Sequence, residues 1–113
     1  MEKVLGKISS VKFGCVGYQD VQFGLMLGFT WDSGNSGIFA DIANGWSLSM
    51  KCTEHCKWTE KDRDEGFAKT MREINQIMLD AKVTDIMALK GIPVEITLNG
   101  NCLHSWRVLT EVL

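Results

Sequence analysis

Only one proline occurs in 113 residues, and no charge of either sign prevails: 12 Lys and Arg stand against 14 Asp and Glu. So small a negative excess, without basic clusters or a like-charge tail, disfavours nucleic-acid binding and gives no case for DNA mimicry. No apolar run approaches the roughly 20 residues of a membrane helix. The start, MEKVLGKISS, has no apolar core of a secretory signal, so a cytoplasmic location is expected. There the four cysteines should remain thiols. No catalytic signature stands out, so neither an enzymatic role nor a cofactor is expected.

What the chain does have is glycine. Eleven glycines beside a single proline indicate turns and kinked strands rather than disorder. The length suits one domain, residues 1–113, with a core of its own. The segment Thr59 to Lys82 separates a glycine-rich first half from a short tail. Phe67, Met71, Ile74, Met78 and Ala81 recur there at spacings of four and three, with Ile77 widening the stripe. Those spacings predict one long amphipathic helix lying on a sheet. Thr59 is its expected N-cap, and Asp62 stands where a capping box has Glu, an imperfect box.

Before this helix, Val4 to Cys15 reads as a strand and Gly17 to Asp20 as a turn. Val21, Phe23, Leu25, Leu27 and Phe29 then alternate with Gln22, Gly24, Met26, Gly28 and Thr30. Period two over ten residues predicts a half-buried strand. Its bare glycines imply a close neighbour or a bend. A third strand is expected over Ile38 to Ile42, and a fourth over Trp46 to Lys51 after the Asn44-Gly45 turn. Beyond the helix, Thr84 should cap a short second helix, Asp85 to Lys90. A hairpin of Val94 to Leu98 and Leu103 to Val112 closes the chain. Its register is open between a two-residue turn, Ile96 opposite Leu103, and a bulged turn, Val94 opposite Trp106. The bulged form is preferred, because it gathers Trp106, Val108 and Val112 with Val94 and Leu98. The expected fold is α+β: an antiparallel sheet in ββββ-α-α-ββ order against one long helix.

Four sets of residues invite chemistry. Cys52, His55 and Cys56, with Cys102 and His104, offer soft ligands for tetrahedral zinc, leaving Cys15 spare. Their CxxHC and CxH spacings belong to no common finger, and thiols with surface histidines account for them, so no metal is expected. Cysteine nucleophilic catalysis lacks its customary surroundings here. Asp62, Asp64 and Glu65 are better explained by the positive end of the helix dipole than as a hydrolytic pair. Ser33 to Gly37 lacks the lysine of a phosphate loop. The aromatics remain. Tyr18, Gln19, Asp20, Trp31, Asp32 and Trp46 form the expected ligand-facing rim, because indole and phenol rings stack on flat ligands where glycine lets backbone approach.

Several runs together resemble a family of small phage and prophage proteins: Val11-Lys12-Phe13-Gly14, Gly17-Tyr18-Gln19-Asp20, Lys57 to Arg63, Leu89 to Thr97 and Ser105 to Leu113. No functional residue transfers with the resemblance. It implies a virus-borne accessory protein in a bacterial cytoplasm, a setting in which small proteins without catalytic motifs often counter host defence. Two roles follow by association. One is a sponge, for which a homo-oligomer is suited, that sequesters a small nucleotide-type immune signal between subunits without cleaving it. The other is an inhibitor that binds a host defence protein, as anti-CRISPR proteins do. A nucleotide-cleaving enzyme is the third and weakest reading.

Overall fold

The computed structural model describes residues 1–32, 35–44 and 52–113. Five antiparallel strands make one sheet: β1 (Glu2–Val16), β2 (Gln22–Trp31), β3 (Asn35–Asn44), β4 (Pro93–Asn99) and β5 (Cys102–Val108), in spatial order β3-β2-β1-β4-β5. Among the described residues a single α-helix, α1 (Glu60–Ala81), stands between β3 and β4 in the chain. The architecture is therefore α+β, as expected. Among the described residues its order is βββ-α-ββ. The expected fourth strand, Trp46 to Lys51, lies outside them.

The expected second α-helix is corrected to a 3-10 turn, Ile86–Leu89. Its N-cap is Asp85, whose carboxylate accepts from the Met87 N–H at 2.8 Å, rather than Thr84. With Gly91 and Pro93 close behind, this segment has no room for the turns an α-helix needs to repay its nucleation.

The sheet curls around the core. Ile8, Leu25, Leu27 and Phe29 meet Val94, Ile96, Leu98 and Val108 on its inner face, and Ile74, Ala81 and Leu89 cover them. The curl brings Ile42 of β3, Trp106 and Val108 of β5 and Ile77 of α1 to one groove. The long first strand serves two neighbours in turn. Glu2 to Lys7 pair with β4, whereas Gly6 to Val16 pair with β2. Where β4 begins, the Ile8 N–H and C=O are taken by Ile92 and Gly91. Ser9 is the extra residue of a bulge, which puts Ile8 and Val11 on the same face despite their odd spacing.

The glycines of β2 mark close approach. A Cβ on Gly28 would collide with the Ser10 hydroxyl and the Phe39 ring, and one on Gly24 with the β3 backbone at Ile42 and Ala43. Val21, expected on the buried face, precedes the strand and is exposed.

Helix α1 begins with a complete capping box, correcting the imperfect one. Thr59 Oγ1 accepts from the Asp62 N–H at 3.2 Å, and Asp62 Oδ2 accepts from the Thr59 N–H at 2.9 Å. Aspartate reaches as glutamate would. Thr59→Ala should lower the unfolding free energy by about 1 kcal/mol in denaturant titration; no measurable change would show that the box leaves stability untouched. The buried stripe is also rotated from expectation. Thr70, Ile74 and Ala81 are buried, Phe67, Ile77 and Met78 half-buried, and Met71 is 58% exposed. The helix leans over β3, with Phe67 edge-on to Phe23 and the Asn44 side chain donating to the Arg63 carbonyl at 3.3 Å. That contact fixes which side of the cylinder faces in.

The last hairpin adopts neither expected register. Ile96 faces Trp106 and Val94 faces Val108, while Leu98 faces Leu103 across a two-residue Gly100-Asn101 turn. The bulge lies in β5 at His104, not in the turn. Leu103 and Trp106 are three apart, so one extra residue must be inserted for both to point inward. Trp106 and Val108 do share the face of Val94 and Leu98, as expected. Val112 does not: β5 ends at Val108, and Val112 is exposed in a terminal 3-10 turn.

Candidate functional site

The expected aromatic rim is split by the strand that joins its parts. Tyr18, Gln19 and Asp20 form a 3-10 turn at one end of the β1–β2 hairpin. At the other end, about 30 Å away at a rise of about 3.3 Å per residue, Trp31 is the last of the ten residues of β2 and Asp32 follows it. One chain therefore cannot place both on one small ligand. Trp46 lies outside the described residues.

At the Tyr18 end, Gln19 and Asp20 both have positive φ, 57° and 54°. The turn is closed by the Asp20 N–H donating to the Gly17 carbonyl, and Lys12 Nζ lies 3.6 Å from Asp20 Oδ1. Tyr18 is 83% exposed, so its ring is left to solvent by its own chain.

At the Trp31 end, two shallow grooves share the indole as a wall. One, of about 440 Å³, lies toward Gly6, Lys7, Thr30 and Asp32; the other, of about 280 Å³, lies toward Asn35, Ser36, Gly100 and Asn101. Strand pairing builds this arrangement. Trp31 pairs with Gly6 on one side and, past an irregularity, with Asn35 on the other. Gly6 has no side chain to fill the first groove, and around the second Gly37 (φ 97°) lies at the irregular start of β3 and Gly100 (φ 63°) in the β4–β5 turn. The result is a flat aromatic surface beside an ammonium, hydroxyls, amides and backbone polar groups. It can stack a planar ring and hydrogen-bond its edges.

A larger groove, about 610 Å³, runs between α1 and the two sheet edges. Its floor is Ile42, Ile77, Trp106 and Val108, and its rim carries Glu73, Asp80 and Arg107. Arg107 already binds Glu111 at 3.1 Å and Glu95 at 3.3 Å, and these carboxylates push its pKa up. Two carboxylates with a neutralised guanidinium repel phosphate, so this groove suits an anionic ligand less than the Trp31 grooves do.

The sequence reading placed Trp31 and Asp32 in its expected rim, and Lys7, Asn35, Ser36 and Asn101 line the same grooves without having been singled out. Nothing local marks those four. They are brought to Trp31 by sheet register and by the β4–β5 turn.

The zinc candidates do not assemble. Cys52 and Cys56 face one another, but His55 is exposed with Nε2 3.4 Å from Glu54, and Cys102 and His104 sit on the β4–β5 hairpin. Among the described residues no three His, Cys, Asp or Glu side chains are grouped to hold a metal. The acidic start of α1 is likewise occupied: Asp62 in the cap, Asp64 with Arg63, and Glu65 with Lys61. Of the Ser33 to Gly37 stretch, Asn35 to Gly37 belong to β3, and Ser33 and Gly34 lie outside the described residues. Among the described residues no helix is long and apolar enough to cross a membrane. No family model, curated protein or solved structure matches the chain.

Proposed function

We propose that the protein is a binding protein that sequesters a small nucleotide-type signalling molecule without cleaving it, in the setting of a bacteriophage countering bacterial defence. The observation that carries the reading is the partly buried Trp31 indole that walls two grooves edged by Lys7, Thr30, Ser36 and Asn101. The ring stacks a base, and the polar edges take up hydroxyls and a phosphate. The virus-borne setting is part of the proposal and rests on the resemblance of the sequence runs alone. We further propose a homo-oligomer in which Tyr18 of a second copy closes the site, with Met71 and Leu79 on α1, 58% and 62% exposed, as its apolar contact.

The test is a melting-temperature screen against cyclic nucleotides and ADP-ribose-type nucleotides. A true ligand at about 100 times its dissociation constant should stabilise by roughly 2.7 kcal/mol. Recovery of the nucleotide intact after denaturation separates sequestration from cleavage. Trp31→Ala should abolish the shift with the fold retained; a full set of nucleotides without any shift sinks the reading.

A second reading, inhibition of a host defence protein by surface contact, draws on one observation. Leu5 and Phe39 are 66% and 52% exposed on the sheet. Co-purification of a defence complex, lost in Phe39→Asp, would favour it over sequestration.

A further inference from the structure

Two of the four thiols are placed against each other just ahead of α1. Thr53 and Cys56 close a turn, the Cys56 N–H donating to the Thr53 carbonyl at 3.0 Å. The turn carries Cys56 back toward Cys52, so that the two thiols perturb one another electrostatically.

Their surroundings differ in a way that divides labour. Cys56 Sγ accepts the Thr53 backbone N–H at 3.2 Å and lies 3.5 Å from the Thr53 hydroxyl. Donors aimed at sulfur favour the thiolate, and the Thr53 hydroxyl and N–H draw the Cys56 pKa down. Cys52 is the donor instead: its Sγ–H points to the Trp58 carbonyl at 3.2 Å. Partial burial and the neighbouring Cys56 raise its pKa. Both thiols are half-buried, hence reachable by a small reagent.

We propose that Cys52 and Cys56 form a thiol–disulfide exchange site for low-molecular-weight disulfides of the glutathione type, with Cys56 as nucleophile and Cys52 as resolving thiol. Cys56 thiolate attacks one sulfur of the disulfide, whose S–S bond breaks and releases one thiolate that takes up a proton. Cys52 then loses its proton to water and attacks Cys56 Sγ, expelling the second small thiol. Two protein thiols are oxidised by two electrons, and one small disulfide is reduced to two thiols. Closure withdraws the Cys52 hydrogen from the Trp58 carbonyl, one residue before the Thr59 cap, so the redox state of the pair acts on the start of α1.

The reduced full-length protein is treated with glutathione disulfide, quenched in acid and mapped by peptide mass spectrometry. Wild type should give the Cys52–Cys56 disulfide, and Cys52→Ser should accumulate glutathione on Cys56. Cys56→Ser should be modified at Cys52 at least about tenfold more slowly, since attack follows the thiolate fraction. Both variants lie outside the core, and circular dichroism checks that they fold. Alkylation of the unmodified wild type gives an independent reading: Cys56 should react ahead of Cys102, although Cys102 is more exposed. Reaction of Cys102 or Cys15 first, or Cys56 left unmodified in Cys52→Ser, overturns the proposal.

Discussion

Phe29→Ala should destabilise the protein by about 3–5 kcal/mol, the range of a large aromatic removed from a core that collapses only in part. Phe29 is 1% exposed and sits on β2, between β1 and β3. It is paired to Ile8 of β1 and Ile38 of β3. Its ring meets Trp106 of β5 with centroids 5.2 Å apart, at a tilt of 49°. The truncation therefore removes apolar burial and leaves a void between strands that are distant in sequence. With total stability for such domains of about 5–15 kcal/mol, much of the protein should unfold at moderate denaturant. Equilibrium urea titration measures it. A loss below about 1 kcal/mol would mean that the curled core is not packed through Phe29.

Gly6→Val should have the second large effect, and it couples stability to the site. A Cβ at Gly6 would overlap the Thr30 carbonyl oxygen and come within 3.1 Å of both the Ile96 Cδ1 and the Trp31 Cβ. The obstacle is space rather than backbone conformation. One of its neighbours is main chain that cannot rotate away, so β2 must shift where Trp31 pairs with Gly6. Overpacking of this kind costs about 1–3 kcal/mol. Because Gly6 and Trp31 line the same groove, the ligand-induced rise in melting temperature should disappear as well. Gly37→Val is the contrast: no atom lies within 4 Å of its Cβ position, so its cost comes from its positive φ rather than from Trp31. Retained binding in Gly6→Val would separate the ligand from this groove.

Much of the architecture was legible from local pattern. The alternation from Phe23 to Phe29 set β2, and the three-and-four spacing with Thr59 in front set α1. Both signals are periodic and self-contained, since a pleat repeats every two residues and a helix every 3.6. The departures arise where a neighbour decides. Met71 satisfies the helical stripe yet is exposed, because β3 and β5 determine which arc of α1 is covered. Leu103 and Trp106 both point inward only through the bulge at His104, which pairing with β4 imposes.

The site divides along the same line. By itself, the sequence determined that Thr59 starts the helix and that an α+β sheet-and-helix domain results. Only the tertiary structure decided that Tyr18 and Trp31 stand at opposite ends of β2, that Lys7 and Asn101 join Trp31, and that Cys52 meets Cys56 while Cys102 does not. Local chemistry specifies what a segment is, because propensity and periodicity act over a few residues. Which segments touch depends on strand order and register, and those follow from how all the apolar faces are buried at once.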